Sequence, residues 1–315
     1  MPTRKTSRRQ TAFDVVVLGG ANYDYSGFGP ELPGPGDTLR GEGIDDAPGG
    51  KGANQAVAAA RLGARVAFIG RVGRDERGDR ILAALQREGI DVSQVQRDAK
   101  APTGVALIHV NGHGEKQILA IDGANKKVSP RDVRAAKAVI QGAKVLMLQL
   151  EVPLAATMEA ARLAHRAGVK VALDPAPAIP LPESLLRMLT IIKPNAGEAR
   201  AQTGVTVKDR PSARKAAQML LARGVQAAAV TAGTQGNLLV SADGEWWMPR
   251  LRVKSVDATG AGDAFAAALA VMVAEGRSLQ EAGIFANAAA ALTTTVVGAQ
   301  ASLPTRRAVL ALTRR

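Results

Sequence analysis

The chain has no cysteine and only three histidines among its 315 residues. The first absence removes disulfides, thiolate nucleophiles and cysteine-ligated zinc together. His109, His113 and His165 are too scattered to form a metal cluster, and each reads as a surface or loop residue. Aromatic residues make up 3% of a chain that is 46% hydrophobic, so an interior of alanine, valine and leucine is expected. No window of about 18 apolar residues occurs, so no membrane-spanning helix is expected. The first ten residues are basic, with no apolar run before Phe13. A secretory signal is therefore not expected, and a cytoplasmic protein is.

Positive charge is abundant instead. The formal net charge is +13, from 41 basic against 28 acidic residues, a balance that invites a nucleic-acid partner. Its placement argues otherwise. Arg4, Lys5, Arg8, Arg9, Arg306, Arg307, Arg314 and Arg315 crowd the two ends and read as solvated tails, and setting those eight aside leaves +5. That is an ordinary value for a body that handles small anions. No nucleic acid and no membrane are expected as partners. The length suits one large domain with a minor appendage.

Phe13 to Gly20 is a β-branched run ending in glycine, which reads as a buried strand with Asn22 and Asp24 at its C-terminal end. Tyr25 to Gly43 is rich in glycine and proline and reads as an excursion, a lid or flap. Pro48-Gly-Gly-Lys-Gly-Ala-Asn54 opens a helix of small residues; Lys51 is followed by Gly52 rather than Ser or Thr, so it is no P-loop. A strand at 65–70, a helix at 78–88 and a hairpin at 103–121, turning at 111–114, follow. Helices at 130–141, 153–167 and 211–223 then alternate with strands at 144–150, 169–174 and 227–231. That alternation predicts α/β architecture: a three-layer, doubly wound, mostly parallel sheet, with a small β-sheet lid. Glu151, Asp174, Asn195, Glu198 and Thr231 all fall where strands end, as an active site in such a sheet requires. Trp246 and Trp247 are expected to pack at the sheet edge.

Val256-Asp-Ala-Thr-Gly-Ala-Gly-Asp-Ala-Phe265 carries the most chemistry. Two glycines lie between Asp257 and Asp263, directly before an alanine-rich helix. Amides of Gly260, Ala261 and Gly262 at a helix N-terminus could converge into an anion hole, with Asp263 as a base at its edge. Such a pair suits phosphoryl transfer. A glycine turn capped by an aspartate accounts for the same residues.

Taken together, Asn22-x-Asp24, Gly49-Gly-Lys-Gly-Ala-Asn54, Gln149-Leu-Glu151, Lys193-Pro-Asn-Ala-Gly-Glu198, Thr231-x-Gly-x-x-Gly236, Thr259-Gly-Ala-Gly-Asp263 and Gly298-Ala-Gln-x-Ser302 resemble the ribokinase-like (PfkB-type) carbohydrate kinases, and within them the ribokinases. The resemblance runs from about Val15 to Pro304. It implies Asp263 as the catalytic base, with Gly260, Ala261 and Gly262 forming the anion hole. It implies a sugar-binding set of Asn22, Asp24, Gly50, Lys51, Asn54, Glu151 and Asp263. ATP would be held by Asn195, Thr231, Gly233, Gly236 and Asn287, and Glu198 with Asn195 would help organise Mg²⁺ through water. A K⁺ site would use Asp257, Thr259, Thr293, Val296, Gly298 and Ser302, mostly through backbone carbonyls. The chain departs from the family pattern at Ala258, at Tyr23 and Tyr25, and in the glycine-rich 26–36 flap.

The reading reached is an ATP-dependent sugar kinase that phosphorylates the 5-hydroxyl of D-ribose. Alternatives are a family member acting on 2-deoxyribose, a nucleoside or fructose, and a sugar-binding regulator without catalysis. The expected division is a basic tail at 1–12, an α/β body at 13–21, 46–102 and 119–315, and a β lid at 22–45 and 103–118. Pairing of two lids would make a homodimer.

Overall fold

The computed structural model of the chain describes residues 12–314, so the basic segment ahead of Ala12 lies outside the described residues. Phe13–Leu18 (β1) is a strand buried on both faces: Val15 and Val17 face one core, Val16 and Leu18 the other. Asn22–Phe28 (β2) and Gly43–Gly49 (β3) leave for a second sheet, and Lys51–Arg61 (α1) returns the chain to the body. Val66–Gly73 (β4), Glu76–Arg87 (α2) and Asp91–Asp98 (β5) follow there, while Gly104–Val110 (β6) and Lys116–Ile121 (β7) complete the second sheet.

From Pro130 the chain alternates between helix and strand. Pro130–Ala135 (α3) and Lys137–Gln141 (α4) precede Ala143–Leu148 (β8), and Leu154–Arg166 (α5) precedes Lys170–Leu173 (β9). Glu183–Leu186 (α6) leads to Ile191–Ile192 (β10); Ala196–Thr203 (α7) and Arg210–Ala222 (α8) lead to Ala227–Thr231 (β11). Gly236–Ser241 (β12) and Gly244–Pro249 (β13) form a hairpin, and Ala261–Ala274 (α9), Leu279–Thr293 (α10) and Arg306–Thr313 (α11) close the fold.

The large sheet has nine strands in the order β13-β12-β11-β10-β9-β8-β1-β4-β5, parallel except for the β12–β13 hairpin at one edge. Helices cover both faces: α1, α9 and α10 belong to one core, α5 and α8 to the other. The order runs outward in both directions from the β1–β8 boundary, the switch point where such sheets gather ligands at their C-terminal ends. The small sheet is β3-β2-β6-β7, with β2 and β6 parallel. Trp246 and Trp247 pack against opposite cores from edge strand β13, as expected.

Four features differ from the sequence reading. Asp91–Asp98 is a strand although all but its two valines are polar or charged, because it forms the other edge of the sheet beside β4. The helix expected over 130–141 breaks at Ala136, whose φ and ψ of −85° and 9° interrupt the helical bonds. A helix starts at Ala196, where Asn195 and Glu198 form a reciprocal capping box. Arg306 is not a solvated end: within α11 its guanidinium meets Glu275 Oε1 at 2.6 Å and stacks over Phe285 at 5.6 Å. Among the described residues no helix is long and apolar enough to cross a membrane.

Candidate active site

The start of α9 is built by glycine. Gly260 caps the helix at φ 80°, in the left-handed region, and a Cβ added there would meet Ala299 O at 3.2 Å. The amide of Ala261 donates back to Ala258 O at 3.2 Å, while Gly262, second in the helix, has no intrahelical acceptor. Asp263 follows, 5% exposed. Three side chains of α1 converge on its carboxylate. Gln55 Nε2 donates to Oδ1 at 3.0 Å, Asn54 Nδ2 donates to Oδ2 at 3.2 Å, and the Lys51 ammonium lies 3.7 Å from Oδ1. One turn of a small-residue helix thus presents a cation and two amides to one carboxylate.

Behind Asp263 a second buried carboxylate completes the network. Asp174, at the end of β9, accepts from Gln55 Nε2 at 2.9 Å, and Lys193, beyond β10, reaches it at 3.3 Å. The Lys51 ammonium lies 3.8 Å from its other oxygen. Gln55 Oε1 accepts from Gln149 Nε2. The two lysines thus face the buried carboxylates of Asp174 and Asp263, so that neither acid is buried without a cation beside it.

The residues expected to bind the sugar meet at the β1–β8 boundary. Asn22 Oδ1 accepts from Asn125 Nδ2 at 2.7 Å, fixing its amide, and Asn125 also bonds the backbone of Ala21. Gly49 leaves room for the Asp24 carboxylate, and a Cβ on Gly50 would sit 2.7 Å from Asn22 N. Asp24 Oδ1 is buried without a partner, an acceptor in want of a donor. Burial, then the charge of Asp263, pushes Asp24 up to about 6. Glu151 Oε2 accepts the Lys51 N–H at 2.8 Å, and desolvation pushes that carboxyl up to about 7 against the pull of Lys51. The charge of Asp263, seconded by Asp174 and Glu151, holds the Lys51 ammonium well above its ordinary range despite burial. Tyr23 is turned away from this group. Its hydroxyl bonds Asp46 and accepts from Arg80 Nη1 at 2.9 Å. Asn22 and Asp24 share one face of β2; Tyr23 and Tyr25 take the other.

A cleft of about 350 Å³ opens on the far side of Gly262, lined among others by Lys193, Thr231, Gly233, Gly236, Asn287 and Phe265. Thr231 Oγ1 donates to Asn237 Oδ1 at 2.8 Å, Asn237 Nδ2 to Asn287 Oδ1 at 3.1 Å, and Asn287 Nδ2 to Pro249 O at 2.9 Å. That chain ties the strand end to α10. Asn195 and Glu198 stand at the start of α7, where Glu198 accepts from Asn195 N at 2.8 Å and Nδ2 at 2.7 Å. Burial and then the charge of Asp174 raise the Glu198 carboxyl above its ordinary value.

The six residues expected around a monovalent cation lie in the loop before α9 and in the end of α10 with the segment after it, and the two are pinned together. Val256 N and Asp257 N donate to Thr294 O at 2.7 and 3.2 Å, and Gly298 N donates to Asp257 Oδ2 at 3.0 Å. Asp257 Oδ1 also accepts from Thr259 N at 3.0 Å and Oγ1 at 2.6 Å. Burial opposes ionisation of Asp257, but these bonds and Lys116 hold it well below the usual carboxylate range. Thr293 and Ser302 turn their hydroxyls to Ala289 O and Ala299 O, and Val296 is exposed. Of the six, Asp257 and Thr259 alone would offer side-chain oxygens to a cation held there. Lys116, from the β6–β7 hairpin, places its ammonium against both, 2.9 Å from Asp257 Oδ1.

A carboxylate at the mouth of a helix, between a buried acceptor set and a glycine-walled cleft, is an arrangement for moving a charged group onto a hydroxyl. The model of the pfkB family of carbohydrate kinases matches residues 12–306. The chain belongs to that family. A ribokinase from Haemophilus influenzae is 42% identical over 297 residues, covering 94% of this chain and 97% of the relative. A deoxyribokinase from Salmonella typhi is 35% identical over 292 residues, covering 92% and 95%. The structure of Arabidopsis thaliana ribokinase complexed with ribose and ATP superposes with a TM-score of 0.88 at 33% identity, covering 96% of this chain and 99% of that one.

The kinase therefore holds several groups to which its motifs assigned no role. Gln55, Gln149, Asp174 and Lys193 form the buried support of Asp263, Asn125 orients Asn22, and Lys116 reaches Asp257 from the small sheet. Asp174 and Lys193 had a signal, since both follow strand ends. Gln55 and Lys116 had none, because their partners lie 208 and 141 residues away. Among the described residues no group of three or more His, Cys, Asp or Glu side chains could hold a metal ion unaided.

Proposed function

We propose that the kinase is ATP-dependent and phosphorylates the 5-hydroxyl of D-ribose, giving ribose 5-phosphate and ADP. The observation that carries this is the position of Asp263, with the hydroxyl-binding set on one side and the nucleotide cleft beyond Gly262 on the other. Asp263 takes the proton of the hydroxyl as that oxygen attacks the γ-phosphorus. The bond from the γ-phosphorus to the bridging oxygen of ADP breaks, and the amides at the start of α9 stabilise the negative charge on the transferring group. Asp24 and Glu151 accept sugar hydroxyls: the bare Oδ1 of Asp24 supports this, because a buried acceptor without a donor rejects sugars that cannot supply one.

The ribose assignment rests on relatives named ribokinase, one of them solved with ribose and ATP. The relative named deoxyribokinase keeps 2-deoxyribose as the second reading. Tyr23, facing away from Asp24, removes one objection from the sugar side. Glu198 fits a hydrated Mg²⁺ carried in with the nucleotide, since a divalent cation relieves its repulsion with Asp174. Asp257, Thr259 and the carbonyls of the 293–302 loop fit K⁺, an oxygen-rich set that already attracts an ammonium. The small sheet acts as a lid over the sugar, and its outer face pairs with a second copy. A reaction that consumes ATP favours a cytoplasmic protein.

The test is coupled ATP turnover on ribose, 2-deoxyribose, fructose and nucleosides, compared by kcat/KM, with and without K⁺. Asp263→Ala is expected to lower kcat by about 10²–10⁴ while sugar binding persists. Undiminished turnover in that variant sinks the mechanism, and sugar binding without turnover in the wild type points to a regulator.

A further inference from the structure

Lys193 is bonded to the backbone and to Asp174, and its ammonium lies beside Gly262 at the start of α9. It stands just past β10, where its N–H donates to Leu173 O at 2.9 Å and fixes the backbone at the C-terminal edge of the sheet. The residue is 7% exposed and is one of those that line the cleft. A Cβ built on Gly262 would lie 3.2 Å from Lys193 Nζ. The second residue of α9 is thus bare on the side that faces the ammonium, so a phosphoryl group at the helix start comes within reach of both. The other cation lining the cleft, Arg250, is exposed at its rim.

We propose that Lys193 is a catalytic residue that binds the transferring phosphoryl group opposite the α9 amides; this rests on the kinase reading above. Before nucleotide enters, Asp174 holds the ammonium at 3.3 Å and keeps it from being buried alone. That carboxylate also accepts from Gln55 and faces Lys51 at 3.8 Å, so Asp174 retains two partners when Lys193 turns to a phosphate. Lysine suits the task as a compact point charge with three donors and no fixed fork, able to follow a phosphorus that moves from one oxygen to another. A group that merely neutralises Asp174 would not need to line the cleft or to face a residue without a side chain.

The experiment compares wild type, Lys193→Met and Lys193→Met/Asp174→Asn, the double variant sparing the fold an unpaired carboxylate. Calorimetry with Mg²⁺ and AMP, ADP or the non-hydrolysable β,γ-imido analogue of ATP measures which phosphate the lysine serves. Both variants are expected to lose about 10–10²-fold in affinity for the triphosphate analogue, and to hold AMP as the wild type does. Turnover with ribose is expected to fall about 10²–10³-fold in kcat with the sugar KM nearly unchanged. Equal losses for AMP and the triphosphate analogue, or retained kcat, overturn the assignment. If the wild type phosphorylates no sugar but triphosphate affinity still depends on Lys193, the sugar reading fails and this one stands.

Discussion

Gln55 Nε2 donates to Asp263 Oδ1 at 3.0 Å, and the same nitrogen donates to Asp174 Oδ2 at 2.9 Å. Gln149 fixes the other end of that amide, so its donor side must face the two carboxylates. Gln55 is therefore a positioning residue for the proposed base. Gln55→Leu removes the donor and leaves both acids short of a bond, at a cost of about 1–3 kcal/mol in stability. It is expected to lower kcat by about 10-fold or more while the sugar KM stays within a few-fold, since Asn54 and Lys51 still reach Asp263. Turnover at the wild-type level would remove Gln55 from the mechanism. Equal falls in kcat and stability for a remote core variant of the same cost would reduce its role to packing.

Asp24 and Glu151 give a pH dependence of definite sign. Their ordinary values are 3.8 and 4.5, and in the folded protein they stand at about 6 and about 7. Between roughly pH 4 and 7 these two carboxyls therefore bind more protons in the folded chain than in the unfolded one, and their contribution to stability falls as pH rises through that window. Glu151→Gln is expected to flatten the fall, measured as Tm against pH. Sugar binding runs the other way, because the ionised carboxylates accept hydroxyl protons. The sugar KM is expected to drop as pH rises past about 6–7, and a KM flat across that range would count against both residues as hydroxyl acceptors.

Much of this was legible because strand ends in a parallel sheet share one edge. Glu151, Asp174 and Asn195 follow β8, β9 and β10, Thr231 ends β11, and the fold brings them to one side. In sequence Tyr23 reads as a departure at the sugar end, but it stands in β2, where alternation sends it opposite to Asn22 and Asp24. Asn195 and Glu198 carried two messages at one spacing, a helix cap and a nucleotide site, and the cap is the one that sets the start of α7. Gln55 was hidden inside an alanine-rich helix, because its partners Gln149, Asp174 and Asp263 come from distant parts of the chain. The β5 edge strand was hidden for a related reason, as its polar pattern reflects one exposed edge rather than a core.

Lys116 and Asp257 link the small sheet to the loop before α9. The ammonium sits 2.9 Å from the carboxylate, against the oxygens proposed for K⁺. A tethered cation and a free one compete for the same charge. Lys116→Gln is expected to steepen the K⁺ dependence of kcat and to increase the thermal shift produced by K⁺ over Na⁺. Asp257→Asn is expected to abolish both responses. Identical K⁺ titrations in wild type and both variants would remove the cation from these loops.

The outer face of the small sheet makes the last prediction. Alternation that puts Asn22 and Asp24 on one face of the small sheet puts Leu107, Leu119 and Ile121 on the other, together with Ile44. These four are 45%, 62%, 47% and 80% exposed, an apolar patch that a solitary chain has reason to avoid. Leu107 and Leu119 are direct cross-strand partners on that face, beside a hollow of about 470 Å³. A second copy supplies the same residues by symmetry, and an isologous contact needs no other partner. Light scattering on the wild type is expected to give twice the monomer mass. Leu119→Lys, which places two like charges across the axis, is expected to give the monomer and to raise the sugar KM, because an unpaired lid closes less firmly. A monomeric wild type would overturn the dimer. A monomeric variant with unchanged KM would keep the dimer and separate it from the sugar site.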